Sequence, residues 1–216
     1  MSAAPQTYYA ECPDPKCGLR FPIDLETHSG KYCPRCGALL TIFAFEQQHL
    51  RIAEMAAPTR QIFGLLDNVR SAYNVGAIFR TADGAGMRGL YLCGITPTPL
   101  SNPAVAKTAL SAESALSWEY ASNARLLAER LIGDGFMLLA LETGAQSKPL
   151  FDLREELAGR QKVVLLVGSE PYGVDPALMA LSEMVAFLPM RGVKHSLNVA
   201  VAFGVAAYFL SQCSAE

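Results

Sequence analysis

Short apolar runs alternate with helical patterns along the chain from about residue 61 onward. The runs have the length of β-strands and include QIFGLLDNV, GLYLC (89–93), FMLLALET (136–143), KVVLLVGSE (162–170) and MVAFLPM. Helical patterns separate them, from Asn74 to about Gly86 and in ASNARLLAERLIGDG. Near-continuous apolar strands are typical of a parallel sheet that helices cover on both faces. We therefore predict an α/β domain with a parallel sheet over residues 61–216.

The last element is an almost wholly apolar helix from Val199 to Leu210, within the run LPMRGVKHSLNVAVAFGVAAYFL. This helix is too short to cross a bilayer, which needs about 20 residues, so we expect it to be buried. Polar residues stand at its start. Ser196 is able to cap the helix by accepting a hydrogen bond from the amide of Asn198 or Val199. Alternatively, the mouth of the helix forms the wall of a ligand site, and the pattern alone leaves both interpretations open.

Four cysteines dominate the first 40 residues, in the spacing C-x4-C-x15-C-x2-C: Cys12, Cys17, Cys33 and Cys36. Gly18 and Gly37 follow the two cysteine pairs and favour tight knuckles whose amides point at a thiolate. This arrangement is typical of a tetrahedral structural zinc site. The alternatives are a chance clustering of cysteines, which both glycines argue against, or iron in a rubredoxin-like site. We predict a zinc-ribbon-like module over residues 1–40, a helical linker over 41–60, and the α/β domain thereafter.

Composition narrows the function only a little. The chain has 216 residues, 51% of them hydrophobic and 18% charged, which is typical of a globular protein. Its formal net charge of −2 gives no general attraction for nucleic acid, although a local basic groove is sufficient for binding RNA. The N-terminus lacks the pattern of a secretory signal. We expect a soluble cytoplasmic protein without a membrane partner.

Three blocks carry candidate chemistry. In NVGAIFRT (74–81) the apolar residues share one helical face and Arg80 projects from the other. In LVGSEPYGV (166–174) a buried strand ends in a loop with two glycines, at the edge where open α/β sheets bind ligands. There Glu170 is placed to bond a ribose, to position an arginine, or to face solvent. The third block is the start of the final helix. Neither a dinucleotide fingerprint nor a Walker motif is present.

In this order, the blocks NVGAIFRT, LVGSEPYGV and LPMRGVKHSLNVAVA resemble the three motifs of the SpoU (TrmH-like) RNA 2′-O-ribose methyltransferases of the SPOUT class. The resemblance covers about residues 60 to 212. Pro171 departs from it, because the family usually has glycine there. The resemblance implies a C-terminal trefoil knot, S-adenosylmethionine as cofactor, a tRNA or rRNA substrate, and a homodimer formed through the final helix.

The resemblance also implies the residues of the site. Arg80 matches the catalytic residue proposed for the family, although an arginine is a poor base because its pKa exceeds about 12. We therefore expect Arg80 to orient the hydroxyl or a neighbouring phosphate. The other active-site positions are Asn74, Glu170, Ser196 and Asn198. The cofactor-binding positions are Thr143, Gly168, Ser169, Glu170, Gly173, Leu188, Met190, Ser196 and Leu197.

Two other functions remain open at this point. The chain is alternatively a catalytically silent RNA- or ribosome-binding protein, or an enzyme of the same class that methylates a base. The ribbon-like module is a candidate for RNA selection or for a protein contact. The basic residues that we consider for an RNA path are Arg51, Arg60, Arg70, Arg88, Lys107, Arg191 and Lys194.

Overall fold

The computed structural model describes residues 6–27, 30–46 and 60–213 of the chain. It divides the chain into two compact units, Met1–Met55 and Ala56–Glu216.

The first unit contains a three-stranded antiparallel sheet. Its strands are β1 (Gln6–Glu11), β2 (Arg20–Ile23) and β3 (Thr41–Glu46), in the order β2-β1-β3. The prediction of a helical linker from residue 41 is therefore wrong for residues 41–46, which pair with β1 along their whole length. The β-branched and aromatic side chains of TIFAFE favour this strand. Residues 47–59, the rest of the predicted linker, lie outside the described residues.

The second unit is built on a seven-stranded sheet in which every neighbouring pair of strands is parallel. Its order is β6-β5-β4-β9-β7-β10-β8. This confirms the predicted α/β architecture. The strands are β4 (Gln61–Asp67), β5 (Gly89–Cys93), β6 (Ser117–Ala121), β7 (Met137–Leu141), β8 (Lys148–Pro149), β9 (Lys162–Val167) and β10 (Met184–Phe187).

Helices cover both faces of this sheet and enclose two apolar cores. They are α1 (Ala72–Gly84), α2 (Pro103–Ala109), α3 (Ala112–Ala115), α4 (Ala124–Gly133), α5 (Arg154–Ala158), α6 (Pro176–Leu181) and α7 (Val199–Ser211), with a 3-10 turn at Leu150–Leu153. One core contains Phe79 of α1 and Phe203 of α7. The other contains Leu127 of α4 and Leu178 of α6. Among the described residues, no helix has the length and hydropathy needed to cross a membrane.

The helix caps differ in detail from the predicted ones. Asn198 rather than Ser196 caps α7, and its side-chain oxygen accepts hydrogen bonds from the amides of Ala200 (2.9 Å) and Val201 (3.4 Å). Helix α1 begins two residues before the predicted start, because Ser71 is its N-cap. Asn74 therefore lies inside the first turn of α1, where its side chain is free to bond elsewhere.

Arg60 is a buried structural residue, so its prediction as part of an RNA path is wrong. Only 6% of its surface is exposed. Its guanidinium donates to the carbonyl oxygens of Leu210 (2.8 Å) and Leu157 (2.9 Å), and also to those of Arg160 and Cys213. Arg60 thereby holds the C-terminal end of α7 against α5. Carbonyl groups left over at helix ends need such donors.

Candidate active site

A cavity of about 530 Å³ opens at the carboxyl ends of β7, β9 and β10, beside the N-terminus of α7. The loops at 168–173 and 188–197 form most of its wall. We call it the knot-loop cavity after the trefoil knot that the family resemblance implies, which stays a prediction. Ligands bind at this edge of open α/β sheets. The structure brings every predicted cofactor-binding residue to its lining: Thr143, Gly168, Ser169, Glu170, Gly173, Leu188, Met190, Ser196 and Leu197. Their roles toward a cofactor stay predictions.

The glycine loop after β9 is a tight hairpin. The backbone of Ser169 donates to the carbonyl of Gly173 (2.9 Å), and the backbone of Gly173 donates in return to Ser169 (2.8 Å). A Cβ atom at Gly168 would lie 2.1 Å from the carbonyl oxygen of Gly173, so a larger residue does not fit. Gly173 has φ +73°, a conformation that favours glycine. Both glycines are therefore required by the shape of this wall.

Glu142 is a residue of the cavity that the sequence analysis missed. Its side chain accepts hydrogen bonds from the backbone N–H of Thr143 (2.7 Å) and of Val174 (3.2 Å). Its own N–H donates to the carbonyl of Ala186 in β10 (2.8 Å). Glu142 therefore joins the end of β7 to the glycine loop and to β10. The only signal for it in the sequence is an acidic residue at the end of the apolar run FMLLALET.

Glu170 is exposed and is held by hydrogen bonds within the protein, while its role toward a ribose stays a prediction. Its carboxylate accepts hydrogen bonds from the backbone N–H of Arg70 (2.9 Å) and Ser71 (3.2 Å) and from the side-chain amide of Asn74 (3.0 Å). Partial burial raises the pKa of Glu170, but these donors outweigh it and hold the pKa below its ordinary value. Glu170 is thus a fixed carboxylate that anchors the N-terminus of α1 to the glycine loop.

Asn74 links Glu170 to the final helix. While its amide nitrogen donates to Glu170, its oxygen accepts a hydrogen bond from the side-chain amide of Asn198 (3.1 Å). Asn198 both caps α7 and lines the cavity. The start of the final helix is therefore a cap and a cavity wall at once, and Asn198 combines the two properties.

Arg80 lies apart from this cluster. It is exposed on α1, as the helical pattern predicted, and it follows Asn74 by six residues, which is about 9 Å along the helix. It does not line the knot-loop cavity. Within the described part of the chain its guanidinium has no hydrogen bond or ion pair. Its catalytic role stays a prediction.

The four cysteines of the first unit form one cluster, with all four sulfur atoms within 4.8 Å of one another. The Sγ atoms of Cys12 and Cys36 are 3.4 Å apart, and those of Cys17 and Cys33 are 3.7 Å apart. A tetrahedral zinc ion with Zn–S bonds of 2.3 Å requires sulfur atoms about 3.8 Å apart. The cluster therefore has the dimensions of a four-thiolate metal site.

The backbone around the cysteines supports the predicted knuckles. Gly18 (φ +54°) and Gly37 (φ +77°) both have the left-handed conformation that turns the chain back after each pair. Burial raises the pKa of Cys33, but hydrogen bonds from the backbone N–H groups of Arg35 and Cys36, together with those to the neighbouring thiols, lower the pKa to about 7. For Cys12, burial instead raises the pKa to about 12. Amides that point at a sulfur stabilise its thiolate, which is the form that binds metal.

A parallel α/β sheet with a glycine-lined cavity at its carboxyl edge is typical of the open α/β proteins that bind ligands, nucleotide cofactors among them, at this edge. The chain belongs to the SpoU rRNA Methylase family, whose model matches residues 61–208. The match spans the sheet and most of α7.

Several proteins are similar to this chain. The 23S rRNA (guanosine(2553)-2′-O)-methyltransferase RlmP of Bacillus subtilis is 29% identical over 201 residues, which cover 88% of this chain and 76% of that protein. The tRNA (guanosine(18)-2′-O)-methyltransferase of Escherichia coli is 28% identical over 165 residues, 74% of this chain and 68% of that protein. The AdoMet-bound rRNA methyltransferase of Sinorhizobium meliloti has a TM-score of 0.64 at 27% identity, covering 81% of this chain and 64% of that one.

Proposed function

We propose that this chain is an S-adenosylmethionine-dependent methyltransferase that modifies a ribose 2′-hydroxyl in tRNA or rRNA. The observation that carries the proposal is the hydrogen-bonded set Glu170–Asn74–Asn198, which joins the three motif blocks at the rim of one cavity. The names of the relatives, which act on the 2′-oxygen of guanosines in rRNA and tRNA, support the same reaction.

The knot-loop cavity fits the proposed cofactor in size and in charge. Its volume of about 530 Å³ lies within the range of cofactor sites. Apolar side chains such as Leu141, Phe187 and Leu188 offer a surface for a flat heterocycle. Glu142 and Glu170 are carboxylates in the same wall and favour a ligand that carries positive charge. When bound, the cofactor supplies an activated methyl group on a sulfonium.

The enzyme's own task is to place the hydroxyl in line with that methyl group and to assist the loss of its proton. Glu170 is poorly suited to accept the proton, because three donors occupy its carboxylate and its pKa is lowered. We assign it to positioning, with Asn74 and Asn198 as the amides that it orients. Arg80 is exposed and available, and we assign it to holding the hydroxyl or a phosphate of the RNA.

Three further features complete the proposal. The exposed residues Val201 (53%), Val205 (36%) and Tyr208 (50%) form a stripe along α7, which supports a homodimer through this helix. A trefoil knot at the C-terminal end of the domain is part of the proposal on the ground of membership in the SpoU family. The cysteine cluster supports a structural zinc ion in the first unit.

The test is methyl transfer by the purified full chain to unfractionated tRNA and rRNA with labelled S-adenosylmethionine. We expect label in 2′-O-methylnucleosides after complete digestion, and little label with the Arg80→Ala variant. Label on the bases would assign the chain to base methylation. RNA binding without any transfer would favour the catalytically silent alternative and contradict the proposal.

A further inference from the structure

A second cavity, of about 710 Å³, lies at the carboxyl ends of β5 and β6, on the same edge of the sheet as the knot-loop cavity. We call it the β5–β6 cavity. The loop at 94–102 forms one wall, and Trp118 and Tyr120 of β6 form another. Arg70 completes the lining. Nothing in the proposed reaction uses this cavity.

The two cavities share a wall. Arg70 lines the β5–β6 cavity, and its backbone N–H donates to the carboxylate of Glu170 (2.9 Å), which lines the knot-loop cavity. The backbone of Ser71 bonds the same carboxylate (3.2 Å). The second cavity is therefore adjacent to the first, as a subsite for a neighbouring unit of a polymeric substrate requires.

The side chains of the β5–β6 cavity are those that bind an unpaired nucleotide. Bases stack on aromatic rings, which Trp118 and Tyr120 supply here. The guanidinium of an exposed arginine such as Arg70 binds phosphate or stacks on a base. Leu100 is 88% exposed and Ile95 is 68% exposed, so the rim presents apolar surface that the other described residues of this unit leave open to solvent.

The wall is already formed without a ligand. In the loop, the backbone of Thr98 donates to the hydroxyl of Ser101 (2.8 Å), and the backbone of Ser101 donates to the hydroxyl of Thr98 (3.0 Å). The side chain of Asn68 accepts from the backbone of Ile95 (3.1 Å) and so fastens the loop to the end of β4. A preformed site loses less entropy when its ligand binds.

We propose that the β5–β6 cavity binds a nucleobase of the RNA substrate, next in the chain to the nucleotide that is methylated. The proposal rests on the proposed function for the identity of the polymer as RNA. It adds a base-stacking subsite, formed by Trp118, Tyr120 and Arg70, to the methyl-transfer site.

The test uses the fact that Trp118 is the only tryptophan of the chain. Its fluorescence is followed while the full chain is titrated with a short single-stranded RNA of mixed sequence, and separately with unfractionated tRNA. We expect quenching in the wild type. Tyr120→Ala and Arg70→Ala should bind RNA more weakly by about fivefold or more, because the lower limit for the loss of one stacked base is about that factor.

Matched variants separate stacking from folding. Tyr120→Phe keeps the ring and loses only the hydroxyl that donates to the carbonyl of Gly94 (3.0 Å), so we expect near-normal RNA binding. Leu100→Ser removes an apolar residue that is 88% exposed, so it weakens RNA binding without unfolding the protein. Binding of S-adenosylmethionine, measured by calorimetry, should be unchanged in every variant.

The outcomes distinguish this proposal from the proposed function. If the wild type methylates RNA while Trp118 does not respond and the alanine variants bind RNA normally, the subsite is refuted and the function stands. The cavity would then belong to a protein or small-molecule partner. If no methyl is transferred but Trp118 is quenched and the variants bind weakly, the subsite stands and the proposed function fails.

Discussion

The side-chain amide of Asn198 donates a 3.1 Å hydrogen bond to the side-chain oxygen of Asn74, across 124 positions of the sequence. The side-chain nitrogen of Asn74 donates a second hydrogen bond, to the carboxylate of Glu170, so one asparagine fixes the relative positions of three loops. A change at Asn74 therefore affects both neighbours while leaving the apolar face of α1 intact.

We expect Asn74→Ala to lower kcat/KM for RNA by about tenfold, since the loss of one bond to a charged group is worth about 1.5 kcal/mol or more. Affinity for S-adenosylmethionine should change less than this. The control is Asn123→Ala, which removes an asparagine side chain at the start of α4 that bonds only its own helix, and it should leave kcat/KM unchanged. Equal activities for the two variants would contradict the positioning role of Asn74.

The lowered pKa of Glu170 predicts a pH dependence of stability. Its ordinary value is 4.5, and the donors at Arg70, Ser71 and Asn74 lower it in the folded state. The stabilisation is therefore fully present above pH 4.5 and is lost as the pH falls through the folded value. At neutral pH we expect Glu170→Gln to reduce the free energy of unfolding by about 1 kcal/mol. Glutamine carries an NH2 donor in place of one acceptor oxygen, and this donor lies beside the two backbone N–H donors.

Urea unfolding at a series of pH values measures this difference. Wild type and Glu170→Gln should converge in acid. The control is Glu129→Gln, whose exposed ion pair with Arg125 on α4 should contribute less than about 1 kcal/mol. A constant difference between wild type and Glu170→Gln at all pH values would rule out the charge as its cause.

The glycine loop offers a prediction with a close control. Gly168→Ala places a Cβ atom 2.1 Å from a backbone oxygen, so the hairpin at Ser169 and Gly173 must open. We expect the affinity for S-adenosylmethionine, measured by calorimetry, to fall by more than about tenfold, since the wall of the cavity is displaced. Gly192→Ala, also in a loop of this site, has no atom within 4 Å of the new carbon and should bind normally.

The sequence predicted the sheet and the members of the site better than it predicted their contacts. Asn74, Glu170 and Asn198 stand out locally because each is a polar residue at the end of an apolar element. That Asn74 bonds both others depends on how distant elements meet. Likewise, β3 at residues 41–46 forms because β1 lies beside it, and a pattern in its own window does not show that partner. In the sequence Arg60 resembles any other basic residue, because the carbonyl of Leu210 that it bonds lies 150 positions away.

The buried guanidinium of Arg60 predicts a large loss of stability on its removal. Arg60→Met fills similar volume but leaves the carbonyls of Leu157, Arg160, Leu210 and Cys213 without this donor. We expect the free energy of unfolding to fall by about 3 kcal/mol or more, because unsatisfied buried acceptors cost 1–3 kcal/mol each. Arg125→Ala, which breaks an exposed pair, should cost less than about 1 kcal/mol. Comparable losses would show that Arg60 is not a structural anchor.

The cysteine cluster predicts that removing one exposed thiol releases a metal ion. Cys36 is exposed, so as an ordinary surface residue its replacement by serine would have little effect on the fold. As the fourth ligand of a zinc site, Cys36→Ser should instead lower the zinc content, which we expect to be one ion per wild-type chain, and unfold the first unit. Arg35→Ala is the matched control, because the neighbouring side chain is exposed and only its backbone N–H reaches Cys33. Elemental analysis distinguishes zinc from iron, and circular dichroism after chelation reports the unfolding. Full zinc content in Cys36→Ser, or a first unit that stays folded in chelator, would contradict the structural metal site.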